Sequence, residues 1–83
     1  MFTRLEERIK VYAIFGDGMR VKPLGFVWAG RKYRIEKITY TWQTRRGRDL
    51  VQHFTVTDGA NIWEICYNAG DMTWQITGVE TEG

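Results

Sequence analysis

Gly-centred turn signals recur along this chain at intervals of about twelve residues, and that spacing constrains the fold more than any other feature. Asp17-Gly18, Gly30-Arg31, Asp58-Gly59 and Ala69-Gly70-Asp71 each fall between apolar runs, with a longer gap around Arg46-Gly47. The pattern predicts an all-β chain: a six-stranded antiparallel meander curled into a small or partly open barrel. With 83 residues the sequence fills one small domain, residues 1–83. Residues 1–7 read as a lead-in, helical or frayed from residue 3, and residues 81–83 as a frayed tail.

Strand by strand, alternation assigns the faces. The first strand runs from about Arg8 to Phe15, and its unbroken apolar stretch from Val11 to Phe15 predicts cover on both sides. A second strand starts near Met19 after the Asp17-Gly18 turn, and Pro23, having no backbone donor, marks an edge, a bend or a strand start. Leu24, Phe26 and Trp28 then share an inward face. A type II′ turn at Gly30-Arg31 would set Trp28 opposite Tyr33 and Phe26 opposite Ile35. Apolar parity changes between Tyr33/Ile35 and Ile38/Tyr40/Trp42, which predicts a bulge near Glu36-Lys37. Phe54 and Val56 point inward from the next strand. A four-residue loop at residues 68–71 would pair Trp63, Ile65 and Tyr67 with Ile76, Trp74 and Met72.

Composition narrows the function classes. A single cysteine, Cys66, leaves no intramolecular disulfide, and a single histidine, His53, leaves no Cys/His zinc set. The charged start MFTRLEERIK is unlike a secretory signal, and no run of about 18 apolar residues occurs, so a cytoplasmic address without a membrane partner is expected. Net charge is +2, but all twelve Lys and Arg lie at or before Arg48. Residues 1–48 carry a net of +8 and residues 49–83 a net of −6. Topology decides whether this dipole survives in space or is cancelled by neighbouring strands.

From about Val21 to Glu80 the chain resembles a bacterial domain family of unknown function. The residues that carry this are Phe26-Val27-Trp28-x-Gly30-Arg31-x-Tyr33-Arg34-Ile35, Trp42, Phe54-x-Val56, Trp63-Glu64-Ile65 and Trp74-x-Ile76-x-x-Val79. Members of that family are short stand-alone proteins or C-terminal modules on inactive relatives of Y-family DNA polymerases. The resemblance implies a DNA-repair neighbourhood and carries no catalytic residues.

Three functional readings compete. In the first, Lys32 and Arg34 point away from the Tyr33/Ile35 face, and Lys37, Thr39, Thr41, Gln43 and Arg45 continue an outward row into the Arg45-Arg46-x-Arg48 loop. Such a basic stripe on a small β fold suits a DNA backbone, with Arg31, Lys32, Arg34, Lys37, Arg45, Arg46 and Arg48 on phosphates and Trp42 stacking on a base. In the second, exposed aromatics, Trp42 foremost, and a sheet edge take a protein partner, for which a DNA-repair protein is the expected kind. The third is catalysis by Cys66 and His53, which face each other if the Asp58-Gly59 hairpin has a four-residue loop; with a two-residue turn His53 faces Glu64 instead. A lone thiol is more often buried and inert. The expectation is therefore an accessory binding module, not an enzyme, with no cofactor and no bound metal.

Overall fold

In a computed structural model that describes residues 1–17 and 20–81, the chain forms eight β-strands in two sheets, with no helix among the described residues. The strands are β1 (Phe2–Arg8), β2 (Lys10–Phe15), β3 (Val21–Trp28), β4 (Arg31–Arg34), β5 (Lys37–Arg46), β6 (Asp49–Thr57), β7 (Ile62–Asn68) and β8 (Thr73–Glu80). Five of them build sheet A in the order β1-β8-β7-β6-β5, and three build sheet B in the order β2-β3-β4. All ladders are antiparallel.

The all-β expectation holds, while the six strands and the barrel are corrected. The chain passes between sheets at two bends, one where the expected lead-in is instead β1 and one within the expected long strand, so the ladders make two facing layers and not one closed cylinder. The first bend is at Ile9, whose N–H donates to the Trp74 carbonyl at 3.2 Å. The second lies between Ile35, whose N–H reaches Leu24 of sheet B (2.9 Å), and Glu36, whose N–H reaches Thr57 of sheet A (2.8 Å). Successive amides thus serve opposite layers. A bend of this kind lets one strand line two faces of the same core.

That core is built from both inner faces. Phe26, Val56, Ile65 and Ile76 are fully buried, with Phe54, Trp63, Trp74 and Val79 nearly so. Across the layers, the Trp63 ring centroid lies 5.1 Å from Phe26 and 4.7 Å from Tyr33, contacts that favour tilted and edge-on aromatic packing.

Several local expectations need revision. Residues 2–8 are an edge strand of sheet A and not a lead-in; Thr81 is tied by its N–H to the Met1 carbonyl (3.0 Å), and residues 82–83 of the expected tail lie outside the described residues. So do Gly18 and Met19, where the first turn and the start of the second strand were placed. Val11 to Phe15 is not covered on both sides, because no layer packs outside sheet B: Tyr12 and Ile14 are more than half exposed. Pro23 sits mid-strand beside a bulge at Leu24, where Tyr12 pairs with Gly25 but Ala13 with Pro23. The bulge absorbs the missing donor and turns Leu24 outward. The β7–β8 loop starts one residue later than expected, so Ile65 faces Ile76 and Tyr67 faces Trp74, and a bulge at Thr77 brings Trp63 opposite Val79.

The β3–β4 turn is Ala29-Gly30, one residue before the expected position, and pairs Phe26 with Tyr33 and Trp28 with Arg31. Both turn residues have positive φ, 52° and 76°, as a type I′ turn requires. Alanine is poorly suited to that region, where its Cβ crowds the carbonyl. Ala29→Asn, which creates the favoured Asn-Gly pair, should therefore stabilise the domain by about 0.5–1 kcal/mol, read as a raised Tm in thermal unfolding.

Candidate nucleic-acid interface

The alternation of β2, β3 and β4 gives sheet B an inner row, Val11-Phe26-Tyr33, and two outer rows, Lys10-Val27-Lys32 and Tyr12-Gly25-Arg34. Past the Leu24 bulge, Ile14 and Lys22 form a third outer pair. Partners in an antiparallel ladder share a face, so Lys10, Lys22, Lys32 and Arg34 surround Tyr12, Ile14 and Leu24 on one open surface. Lys32 Nζ stands 5.9 Å from the Tyr12 ring centroid, within reach of a cation–π contact.

Charge is partitioned by sheet. The three strands of sheet B hold five basic residues, Lys10, Lys22, Arg31, Lys32 and Arg34, and no acidic one. The five strands of sheet A hold five of each sign. Acidic residues of β6, β7 and β8 are interleaved with the bases of β1 and β5, so the sequence dipole cancels there and survives on sheet B. Among the described residues no Lys or Arg side chain lies within 4.0 Å of a carboxylate, leaving these cations available to a ligand. Glu36 and Asp58 border the face beyond β4, in a groove of about 480 Å³ shared with Lys32 and Arg34. They set a negative margin on that side.

Comparison with family models, with curated proteins and with solved structures returns no match for this chain.

The expected stripe does not run unbroken, because its strand changes sheets at Ile35-Glu36. Lys32 and Arg34 lie together on the outer face of sheet B, whereas Arg31, opposite Trp28, has the inner-face parity and sits exposed at the hairpin end. Lys37 opens β5 in sheet A. Arg45 and Arg46, paired with Leu50 and Asp49, point to opposite faces of the β5–β6 hairpin, and Arg48 occupies its turn beside Gly47 (φ 63°). The basic loop is thus three dispersed charges and not one patch. A second irregularity, at Thr39, returns Thr41 and Gln43 to the inner side and sends Tyr40 and Trp42 out. Lys10, Lys22 and Tyr12 escaped the sequence reading; the spacing Lys10-x-Tyr12-x-Ile14 was the signal that could have found them.

On the outer face of sheet A, Trp42 stacks on His53 with centroids 4.9 Å apart and planes 6° from parallel. Thr44 Oγ1 lies 2.7 Å from His53 Nε2. The Asp58–Asn61 loop has four residues, held by the Ala60 and Asn61 amides donating to Asp58 Oδ1 (2.9 and 2.7 Å), so His53 pairs with Cys66 and not with Glu64. Both lie in a polar trough of about 380 Å³ with Arg8, Arg46 and Gln75. Burial raises the Cys66 thiol, opposed by the Arg46 charge. Burial also lowers His53, opposed by Glu64. The pair therefore stands as thiol and neutral imidazole near pH 7, the reverse of what an activated nucleophile needs.

The lowered His53 value has a consequence for stability. The unfolded chain takes up a proton near its ordinary 6.5 before the folded chain does, so stability falls as pH drops through that window and is fully present above it. As His53 is the one histidine, His53→Gln should flatten the Tm profile between about pH 7 and 5, where carboxylates still contribute little.

Proposed function

We propose that this domain is a nucleic-acid-binding module that meets phosphates with the outer face of sheet B. One observation carries the reading: five cations and no carboxylate on three adjacent strands, open on one side, in a chain whose remaining strands are charge-balanced. A concentrated field of one sign attracts a polyanion and holds it through counterion release. The sequence resemblance implies a DNA-repair neighbourhood, and DNA is the polyanion at hand in such a setting. The module is read as acting without a cofactor and without catalysis.

The test is a tryptophan-fluorescence or anisotropy titration with DNA across a salt series, on the native chain and on a variant lacking the charges of Lys10, Lys22, Lys32 and Arg34. Log affinity should fall linearly with log salt, and the variant should lose both affinity and slope. No binding at low salt ends the proposal.

A sheet-edge protein partner is the second reading, favoured by the short edge strand β4 and the groove beside it. Salt-indifferent capture lost on Trp42→Ala would support it. Trp42 is packed on His53, however, and offers a partner less surface than the alternation promised.

A further inference from the structure

Phosphate contact needs cations alone, yet the outer face of sheet B carries more than cations. At its centre Tyr12 is 54%, Ile14 55% and Leu24 39% exposed, on strands that a small soluble fold would be expected to finish with polar residues. The backbone is shaped around the ring. A Cβ at Gly25, opposite Tyr12, would sit 2.9 Å from the Tyr33 carbonyl oxygen and 3.9 Å from Tyr12 Cδ2. Glycine therefore lets β3 and β4 approach closely and leaves the Tyr12 ring seated beside bare sheet backbone.

Resting on the phosphate-binding reading above, we infer that the ligand is single-stranded, with a base stacked on Tyr12, flanked by Leu24 and Ile14, while Lys10, Lys22, Lys32 and Arg34 hold its phosphates. In a duplex the bases are stacked on one another and present no free face to the Tyr12 ring. A single strand offers a π face at every nucleotide, and an aromatic platform ringed by cations is what such a strand binds without reading its sequence. The two full outer rows span two strand spacings of about 4.8 Å each, a surface for only a short stretch of strand. Glu36 and Asp58 lie beyond the β4 margin and repel phosphates, so the strand does not extend past Lys32 and Arg34 on that side.

The experiment compares a labelled oligothymidylate of about twelve nucleotides with a duplex of the same length, using the full chain and its Tyr12→Leu and Tyr12→Phe variants. The single strand should bind at least about tenfold tighter, Tyr12→Leu should weaken it by about 5- to 150-fold, and Tyr12→Phe should restore most of the loss. Because Tyr12 is exposed, neither variant should disturb folding, which circular dichroism checks. Equal affinity for both forms, with Tyr12→Leu silent and the salt slope intact, overturns the stacking while leaving the phosphate reading in place. Absence of salt-dependent binding to either form removes the underlying reading itself. Equally tight, Tyr12-dependent binding to phosphatidylserine vesicles would overturn the inference in favour of a lipid surface.

Discussion

Replacing Lys10, Lys22, Lys32 and Arg34 together by glutamine should weaken binding to single-stranded DNA by about 600-fold at about 0.1 M salt. The figure follows from counterion release: each neutralised phosphate contributes a slope of about 0.7 in log affinity against log salt, so four contribute about 2.8 decades at one decade below 1 M. The salt slope should flatten by the same ~2.8. Glutamine is shorter than lysine or arginine but stays polar while losing the charge, and solvated positions of this kind change stability by roughly 0.5 kcal/mol or less. The matching control removes Lys37, Arg45, Arg46 and Arg48. These four lie at the start of β5 and on both faces and the turn of its hairpin, so they cannot follow one phosphate chain together; affinity should change by less than about threefold. A control loss as large as that of the sheet B variant would move the interface to the hairpin and refute the assignment.

Trp63→Ala should produce the largest loss of stability in the chain, about 3–5 kcal/mol. The indole is 2% exposed and fills the space between the layers, against Phe26 and Tyr33 from sheet B and between Val56 and Val79 along its own sheet. A domain of this length holds roughly 4–12 kcal/mol in all, so much of the margin goes, and Tm should drop by more than about 12 °C. The Trp63 indole Nε1 is buried without a hydrogen-bond partner, a group whose removal recovers a desolvation cost. Trp63→Phe should for that reason lose less than about 1.5 kcal/mol in urea unfolding. A loss below ~1 kcal/mol for Trp63→Ala would mean that the two inner faces do not pack as described.

How far the sequence reached can be judged from particular residues. Alternation identified Phe26, Phe54, Val56, Trp63, Ile65, Trp74 and Ile76 as inward, because burying one face of a strand forces a period of two. It placed Trp28 equally deep, although this ring is only half-buried and its indole N–H reaches Glu7 Oε2 at 3.2 Å. The bulges at Leu24, Thr39 and Thr77 were not legible: each is a one-residue slip that the flanking residues tolerate on either face. Thr39 alone reversed the reading of Tyr40, Thr41, Trp42, Gln43 and Arg45. The stretch Val11 to Phe15, apolar throughout, could not say which of its residues were outward. β1 carries Arg4, Glu6, Glu7 and Arg8 among few apolar positions, as an edge strand can, and so did not announce itself. Of the candidate site, Lys32 and Arg34 were found because their hairpin was found. The partition of charge was hidden, since it depends on which strands share a sheet.

The two sheets also differ in how far along the chain their partners lie, and this sets an order of assembly. Sheet B is made of successive hairpins, each closed by a short connection. Sheet A is complete only when Phe2 meets Glu80 and Arg8 meets Gln75, contacts between the most distant parts of the described chain. Closing so long a loop is entropically unfavourable until the intervening strands are in place, and contacts of that range slow folding. The cationic surface should accordingly take shape early and the β1–β8 seam last. In native-state hydrogen exchange the outer amides of β1 would then be the first of sheet A to open.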